Sequence, residues 1–356
     1  MIPVFDGHND LLLRLLLAPD NRETIWLKGE GTGHLDLPRM KAGGFAGGFF
    51  AIYLPTPVAH DSASYMAMME TPPYTLPLPD LITATEGLPP AFAAASLLLW
   101  MERSSEGAFR VCHSGAEVRD CLSRGVIAGI MHMEGAEAID EGLDALHAFH
   151  AMGLRSIGPV WSRPTIFGHG VPFAFPSSPD TGPGLTEAGK RLVRECDRLK
   201  IMIDLSHMNE AGFNDVAAIS SAPLVATHSN AHAICPSSRN LTDRQLAMIR
   251  ESGGMVGLNF AVGFLNPDGR KDPGRGWDAM LRHLDHLIAH LGEDHVGLGS
   301  DFDGAEITAV LGDVAGLPGL VAALRDHGFD DALLRKICHE NWLNLLDRSI
   351  SPPAIG

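Results

Sequence analysis

Short apolar runs alternate with longer amphipathic stretches along most of the chain. Eight of the apolar runs predict strands: residues 2–6, 45–52, 126–132, 154–160, 201–205, 223–227, 254–259 and 295–299. Several are continuously apolar, as expected for parallel strands that are buried on both faces. Helical patterns lie between them, at residues 91–104, 141–152, 185–200, 209–219, 242–252 and 277–291. Thr186 and Thr242 stand where a helix N-cap is expected.

Eight strands that alternate with helices predict an α/β fold, a single (β/α)8 TIM-type barrel over residues 1–350. A doubly wound open sheet is the alternative, but no G-x-G-x-x-G or P-loop motif follows any of the strands. Two long Pro-rich segments, 53–90 and 162–184, predict functional loops after strands 2 and 4. Residues 351–356 are predicted to form a loose C-terminal tail.

Composition narrows the range of partners. Lys+Arg 27 against Asp+Glu 43 gives a net charge of −16, which argues against nucleic-acid binding. We see neither a signal peptide nor an apolar run long enough to cross a bilayer, so no membrane partner is expected. Five scattered cysteines without a C-x-x-C pair suggest reduced thiols, and a cytoplasmic location is therefore predicted.

Metal-ligand side chains stand at the ends of five predicted strands. They are His8 and Asp10 after strand 1, Glu134 after strand 3, His207 after strand 5, His228 after strand 6, and Asp301 after strand 8. The C-terminal strand ends of a barrel converge on one face, where active sites form. Three imidazoles and three carboxylates in one cavity would suit two divalent cations that share a bridging carboxylate.

Taken singly, these residues have simpler explanations. His207 alone reads as a satisfied core histidine, Asp301 as a helix N-cap, and the His8-x-Asp10 pair is a weak signal. Only their joint placement at strand ends favours a metal site. Three further carboxylates are expected to be supporting or structural groups: Asp6, Asp204 and Asp303. Five histidines in helical stretches are expected on solvated helix faces: His147, His150, His283, His286 and His290.

These pieces resemble a known family, the renal or membrane dipeptidases, a branch of the metal-dependent amidohydrolase barrels. The matching segments follow the family's order over nearly the whole chain: Asp6-Gly-His8-Asn-Asp10, Gly43-Gly44-Phe-Ala-Gly47-Gly48, Glu134-Gly135, Ile203-Asp204-Leu-Ser-His207, Ala226-Thr-His228-Ser229, Ser238-Arg239-Asn240 and Gly299-Ser-Asp301-Phe-Asp303-Gly304. The resemblance implies hydrolysis of dipeptides by a hydroxide that bridges two zinc ions, often with tolerance of a D-residue at the C-terminal position. It also suggests a homodimer.

The resemblance further implies a role for each matching residue. It assigns five metal ligands, with Glu134 as the bridge: His8, Asp10, Glu134, His207 and His228. Asp301 would be the acid/base, which takes a proton from the attacking water and passes it to the leaving amine. Arg239 would bind the substrate carboxylate, because a guanidinium matches a carboxylate in bidentate geometry.

One position departs from the family pattern. Members commonly carry a histidine after strand 4 that contacts the scissile carbonyl oxygen, and the matching residue here is Trp161. An indole offers a single N–H donor and cannot carry the positive charge of a protonated imidazole. His169, in a Gly-flanked loop, is therefore a candidate for a substitute donor. The alternative is that His169 is only a surface-loop histidine and that Trp161 is an apolar wall, which narrows the pocket or stacks on the substrate side chain.

Two other functions stay open at this point. The same site could hydrolyse an N-acyl amino acid, a cyclic amide or a lactone. Alternatively, the chain could be a non-catalytic metal-binding protein. Arg239 and the absence of a carboxylated-lysine position favour the dipeptidase, and Asp301 argues against a purely structural metal site.

Overall fold

The computed structural model describes residues 1–56 and 67–350, and within these ranges it has eleven strands. They are β1 (Val4–Asn9), β2 (Phe45–Tyr53), β3 (Tyr74–Thr75), β4 (Phe109–Val111), β5 (Ile127–Glu134), β6 (Leu154–Gly158), β7 (Ala174–Phe175), β8 (Met202–Ile203), β9 (Val225–Ala226), β10 (Met255–Asn259) and β11 (Val296–Gly299). Each of the eight predicted strands corresponds to one of them. The predicted tail, 351–356, and part of the first long loop lie outside the described residues.

Eight parallel strands form the barrel. Their order is β8-β6-β5-β2-β1-β11-β10-β9, and β4 pairs with the beginning of β5. A parallel bridge between Asp204, just after β8, and Val225 in β9 joins the two ends of this order. The sheet is therefore closed by this bridge, and the predicted (β/α)8 barrel is confirmed.

Thirteen α-helices lie in the described parts of the chain. They are α1 (Leu11–Leu17), α2 (Leu37–Gly43), α3 (Ala84–Ser104), α4 (Gly115–Ser123), α5 (Asp144–Met152), α6 (Glu187–Leu199), α7 (Glu210–Ile219), α8 (Asp243–Glu251), α9 (Val262–Leu265), α10 (Asp278–Leu291), α11 (Leu317–Asp326), α12 (Asp331–Arg335) and α13 (Asn341–Ser349). Short π-helical turns lie at Thr24–Lys28 and Lys336–Glu340. Within residues 1–56 and 67–350, no helix is both long and apolar enough to cross a membrane.

Both predicted threonine caps are present. The Thr186 hydroxyl accepts the Gly189 N–H at 3.1 Å and begins α6. At α8, Thr242 accepts the Gln245 N–H, and the Gln245 side chain accepts the Thr242 N–H in return. This reciprocal pairing satisfies two N–H groups that a helix N-terminus otherwise leaves free.

The barrel interior is filled with large side chains. Phe5 and Phe49 belong to a buried cluster with Trp342 of α13, whose ring centroid lies 5.4 Å from that of Phe49. The Trp342 indole N–H donates to the Leu298 carbonyl oxygen at 2.9 Å, so its polar atom is satisfied. Because the interior is packed, open space for a ligand is expected at the C-terminal strand ends.

The two long loops meet each other above that end of the barrel. β3 belongs to the loop after the second barrel strand and β7 to the loop after the fourth, and the two strands pair antiparallel. Tyr74 lies opposite Phe175. The loops therefore form one connected wall rather than two independent excursions.

One expectation about the helices is wrong. His283 was expected on a solvated face of α10, but its side chain is buried. Its Nδ1 accepts the Ala231 N–H at 3.1 Å and its Nε2 donates to the Leu265 carbonyl oxygen at 3.0 Å. The imidazole is the hydrogen-bond partner of two backbone groups that would otherwise be unsatisfied inside the protein. The hydrophobic periodicity of a helix cannot reveal such contacts.

Candidate active site

The strand ends bring the six predicted chemical residues into one buried group. Their ligand atoms form overlapping sets in which all atoms lie within 4.8 Å of one another: His8, Asp10 and Glu134; Glu134, His207 and His228; and His8, His228 and Asp301. Parallel strands that end at the same edge of a barrel deliver these side chains from distant parts of the chain.

Glu134 belongs to two of these sets and faces each with a different oxygen. Its Oε1 lies 3.1 Å from Nε2 of His207 and 3.3 Å from Nε2 of His228. Its Oε2 lies 3.6 Å from Nε2 of His8, which in turn is 3.4 Å from Oδ2 of Asp10. A carboxylate that offers one oxygen to each of two ligand sets has the placement of a bridge between two ions.

The unpartnered atoms of the site fit divalent ions. Both ring nitrogens of His8 and Oδ1 of Asp10 are buried without a hydrogen-bond partner among the described residues. The Nε2 atoms of His207 and His228 lie 3.2 Å apart. Buried polar groups are rarely left without partners, and nitrogen and carboxylate oxygen are the ligands that zinc accepts.

Hydrogen bonds behind the site orient two of the imidazoles. The Thr227 hydroxyl lies 2.5 Å from Oδ2 of Asp204 and 2.8 Å from Nδ1 of His228. Because a carboxylate can only accept, the hydroxyl donates to Asp204 and accepts the Nδ1–H of His228. This leaves a lone pair on Nε2, the atom that faces Glu134.

His207 is held in a similar way. Its Nδ1 lies 2.9 Å from the Ser162 hydroxyl. Its backbone φ is +65°, and that of Asp301 is +60°, both in the left-handed region that non-glycine residues avoid. Such backbone conformations are characteristic of functional sites, where the surrounding structure imposes them.

Asp301 occupies a tightly bounded position. Asn259, the last residue of β10, donates from Nδ2 to Oδ2 of Asp301 at 2.9 Å. A Cβ atom added at Gly304 would lie 2.1 Å from Oδ2 of Asp10 and 2.6 Å from Oδ1 of Asp301. Only a glycine therefore allows the backbone of this loop to approach both carboxylates.

Burial shapes the charges of these groups. It raises the pKa of Glu134 and of Asp301, because a carboxylate is poorly solvated there. It lowers the pKa of His207 and His228. Burial also acts to lower the pKa of His8, but carboxylates led by Glu134 outweigh it and raise that pKa to about 10. The protein thus concentrates buried carboxylates that a cation would stabilise.

A cavity of about 470 Å³ opens onto the site. Asp10, Glu134, His207 and Asp301 are among the residues that line it. Its walls carry four aromatic side chains, from the end of β2, the segment after β6, the second long loop and α9: Tyr53, Trp161, Phe173 and Phe264. The space is suited to a small substrate with an apolar side chain.

Trp161 forms the wall next to the imidazoles. Its ring centroid lies 5.7 Å from that of His207 and 5.2 Å from that of Tyr53. Behind it lies the buried guanidinium of Arg163, 5.4 Å from the indole. Arg163 is fixed in turn by Glu137, at 2.7 Å. Trp161 therefore presents an aromatic surface to the cavity, beside His207.

Neither Arg239 nor His169 belongs to the set of described residues that line the cavity. Arg239 is buried and donates to the Ser229 hydroxyl and the His228 carbonyl oxygen, both at 2.8 Å, while its Nε has no partner among the described residues. Its guanidinium lies 5.9 Å from the ring of Phe264 in the cavity wall. His169 is half-buried, and its role as a substitute donor stays a prediction from the sequence.

Some residues of the site were not anticipated from the sequence. Asn259, Ser162 and Tyr53 carry no metal-ligand signature, so metal-ligand spacing does not single them out. Asn259 ends a predicted strand, so the rule that selected Asp301 would also have selected it. Thr227 lies inside the motif quoted for His228, but its role depends on a contact with Asp204 that spacing alone does not reveal.

Comparisons with known proteins show what the whole chain is similar to. A sequence model of the membrane dipeptidase family (peptidase family M19) matches residues 1–349. A solved metallo peptidase from Rhodobacter sphaeroides, bound to a phosphinate mimic of the dipeptide L-Ala-D-Ala, is 70% identical with a TM-score of 0.97. A solved structure described as dipeptidase AC, a metallo peptidase, is 69% identical with a TM-score of 0.96. Each comparison covers 98% of this chain and 99% of the other.

A third relative comes from a comparison of sequences. It is an uncharacterized protein in the pqqA 5' region of Klebsiella pneumoniae, 53% identical over 243 residues. The match covers 68% of this chain and 89% of the relative.

Proposed function

The chain belongs to the membrane dipeptidase family, peptidase family M19, and from this premise we propose that it hydrolyses dipeptides, including L-D dipeptides, with two zinc ions. The observation that carries the proposal is the placement of Glu134 between two ligand sets, one oxygen toward each. The mimic of L-Ala-D-Ala bound to the 70% identical relative supports the choice of substrate. The homodimer and the cytoplasmic location stay predictions from the sequence.

Five residues would hold the two ions. His8 and Asp10 would hold one, His207 and His228 the other, and Glu134 would serve both. When bound, the ions would polarise the scissile carbonyl and lower the pKa of the attacking water. Thr227 and Ser162 already orient the imidazoles of the second set for this role.

Asp301 would move the proton. One of its oxygens accepts from Asn259, and the other stays available to take a proton from the attacking water. As the peptide C–N bond breaks, the same carboxyl would deliver that proton to the amine nitrogen of the departing residue. Water is consumed, and the products are two amino acids.

Arg239 would recognise the free carboxylate of the substrate. Two of its N–H groups are used within the protein, and Nε and the remaining Nη hydrogens are available. A guanidinium that is partly fixed loses little further freedom when it binds a carboxylate. Trp161, in the cavity wall, would contact the substrate side chain.

The decisive experiment is a substrate panel on zinc-loaded protein. L-L, L-D and D-L dipeptides should be compared with the matching N-acetyl amino acids, a cyclic dipeptide and a lactone, and elemental analysis should give the metal content. We expect dipeptide turnover, negligible turnover of the others, and close to two zinc ions in the centre. Turnover of N-acetyl amino acids alone would reassign the reaction, and no hydrolysis at all would support a binding protein.

A further inference from the structure

A second group of metal-ligand side chains lies away from the active site, where α10 packs near the start of α8. His286 and His290 of α10 are four residues apart and so share one helix face. Their rings stack with centroids 4.2 Å apart and planes 23° apart. Facing them is Asp243, the first residue of α8. None of the three is among the described residues that line the catalytic cavity.

The distances within this group suit one small cation. Nε2 of His286 lies 2.7 Å from Oδ1 of Asp243, and Nε2 of His290 lies 4.0 Å from Oδ2. The three ligand atoms all lie within 4.8 Å of one another. Bonds of about 2.0–2.1 Å to a tetrahedral ion place its ligands roughly 3.3 Å apart, between the two observed separations.

We propose that Asp243, His286 and His290 form a peripheral site for a divalent transition-metal ion. Two imidazoles and one carboxylate favour zinc, copper, nickel or cobalt over magnesium and calcium, which prefer oxygen ligands throughout. The side chains are 18–50% exposed, so water can complete the coordination. The ion would link two outer helices of the barrel, and the proposal does not depend on the proposed function.

Ordinary pairs of a histidine and a carboxylate elsewhere on the surface look different from this group of three. His327 and Asp285 form such a pair at 2.9 Å, and His147 and Glu195 form another at 3.2 Å. Neither of these belongs to a cluster of three ligand residues among the described part of the chain. At Asp243, by contrast, the His290 ring is stacked on the His286 ring. Each imidazole lies near a different oxygen of the same carboxylate.

The space beside His290 allows an ion to enter. An open depression of about 460 Å³ adjoins it, lined by Ala247, Arg250, Glu251 and Ala289 as well as by His290. Arg250 and Glu251 bring one charge of each sign, so they change the local net charge little. Entry therefore needs a side-chain adjustment only, in which the ion displaces the hydrogen bond between His286 and Asp243.

The test is a count of bound ions at equilibrium. The full-length protein is dialysed against a series of free Zn²⁺ concentrations, and the parent is compared with His290→Ala and with His327→Ala. The His327→Ala variant is the matched control, since it also removes a partly exposed imidazole paired with a carboxylate. We expect the parent and His327→Ala to bind one equivalent more than His290→Ala. All three should have the same kcat on a dipeptide, because the site lies outside the cavity.

Two further variants keep the outcome decisive. His290→Gln and Asp243→Asn approximately keep the size of the side chain and should lose the same equivalent of zinc. The test therefore stands even if His290→Ala is poorly folded. Saturating Zn²⁺ should raise the Tm of the parent more than that of either variant, because an ion that binds only the folded state stabilises it. Equal stoichiometry in the parent and all the variants, or an equal loss in His327→Ala, would overturn the proposal.

Discussion

The side-chain amide of Asn259 donates a hydrogen bond from Nδ2 to Oδ2 of Asp301, over 2.9 Å. The orientation of this amide is fixed, because Oδ1 of Asn259 accepts the Ala261 N–H at 2.6 Å. One oxygen of Asp301 is therefore occupied. The arrangement leaves a single oxygen for proton transfer, which is what an acid/base needs to act at one place in the cavity.

Asp301→Asn tests this role directly. The change keeps the shape of the side chain and removes the proton acceptor, so we expect kcat to fall by about 10²–10⁴-fold while most of the metal is retained. Asp303→Asn is the control. Asp303 accepts the His34 N–H at 2.6 Å and lies 3.5 Å from Arg14, so its loss should lower stability more than kcat. Activity within a few-fold of the parent in Asp301→Asn would reassign the base.

Arg239→Lys should separate binding from chemistry. An ammonium keeps the charge but cannot reproduce a fork that already contacts Ser229 and the His228 carbonyl oxygen. We expect KM for dipeptides to rise at least tenfold with a smaller change in kcat, and dipeptide amides to be poor substrates of the parent. Ser229→Ala, which removes one partner and leaves the guanidinium, serves as the control. Equal turnover of a dipeptide and its amide would contradict the role.

Thr227→Val concerns the orientation of His228. Valine keeps the shape of threonine but removes the hydroxyl between Asp204 and the imidazole Nδ1. Loss of such a partner typically lowers metal affinity about 10–100-fold. Chelator titration of zinc-loaded protein should show that drop in Thr227→Val, and Thr227→Ser should restore parental affinity. If valine and serine behave alike, the hydroxyl does not orient the ligand.

Much of this molecule could be predicted from its sequence, because two strong signals reinforce each other. Buried parallel strands are continuously apolar, so their runs stand out. A barrel then brings every strand end to one face, so Glu134 and His228 could be placed together although 94 positions separate them in the chain. The same rule would also have placed Asn259 there.

Other features could not be predicted in this way. The pairing of β3 with β7 depends on two loops whose paths no periodic pattern specifies. The burial of His283 depends on backbone groups at Ala231 and Leu265, 52 and 18 positions away along the chain. Contacts of this kind follow from the completed tertiary structure and leave little trace in local sequence.

His283 also gives a prediction about stability and pH. Burial lowers its pKa from 6.5 to about 4, and the neutral ring satisfies both of its neighbours. The unfolded chain therefore binds a proton more readily than the folded one between these values. The stability that neutral His283 supports is fully present above pH 6.5 and is lost as pH falls toward 4.

The non-titrating variant His283→Gln can keep both hydrogen bonds. Between pH 7 and pH 4.5, the free energy of unfolding of the parent should fall by on the order of 1–3 kcal/mol more than that of the variant. Urea unfolding at several pH values measures the difference, and the titration of groups shared by both proteins cancels. If the free energies of unfolding of the parent and the variant fall in parallel with pH, His283 is not the source of the pH dependence.

Trp161 and His169 can be distinguished by substitution of each. His169 lies outside the cavity wall, so His169→Asn should leave kcat within about threefold of the parent; a loss near the 10²–10³-fold typical of a removed oxyanion donor would reinstate it. Trp161 lines the cavity beside His207 and Tyr53, so Trp161→Ala should raise KM most for dipeptides with large apolar side chains. Trp161→Phe keeps an aromatic face without the indole N–H. If phenylalanine preserves the parental kcat and KM, the residue acts through its apolar surface, and the carbonyl oxygen depends on the metal centre alone for stabilisation.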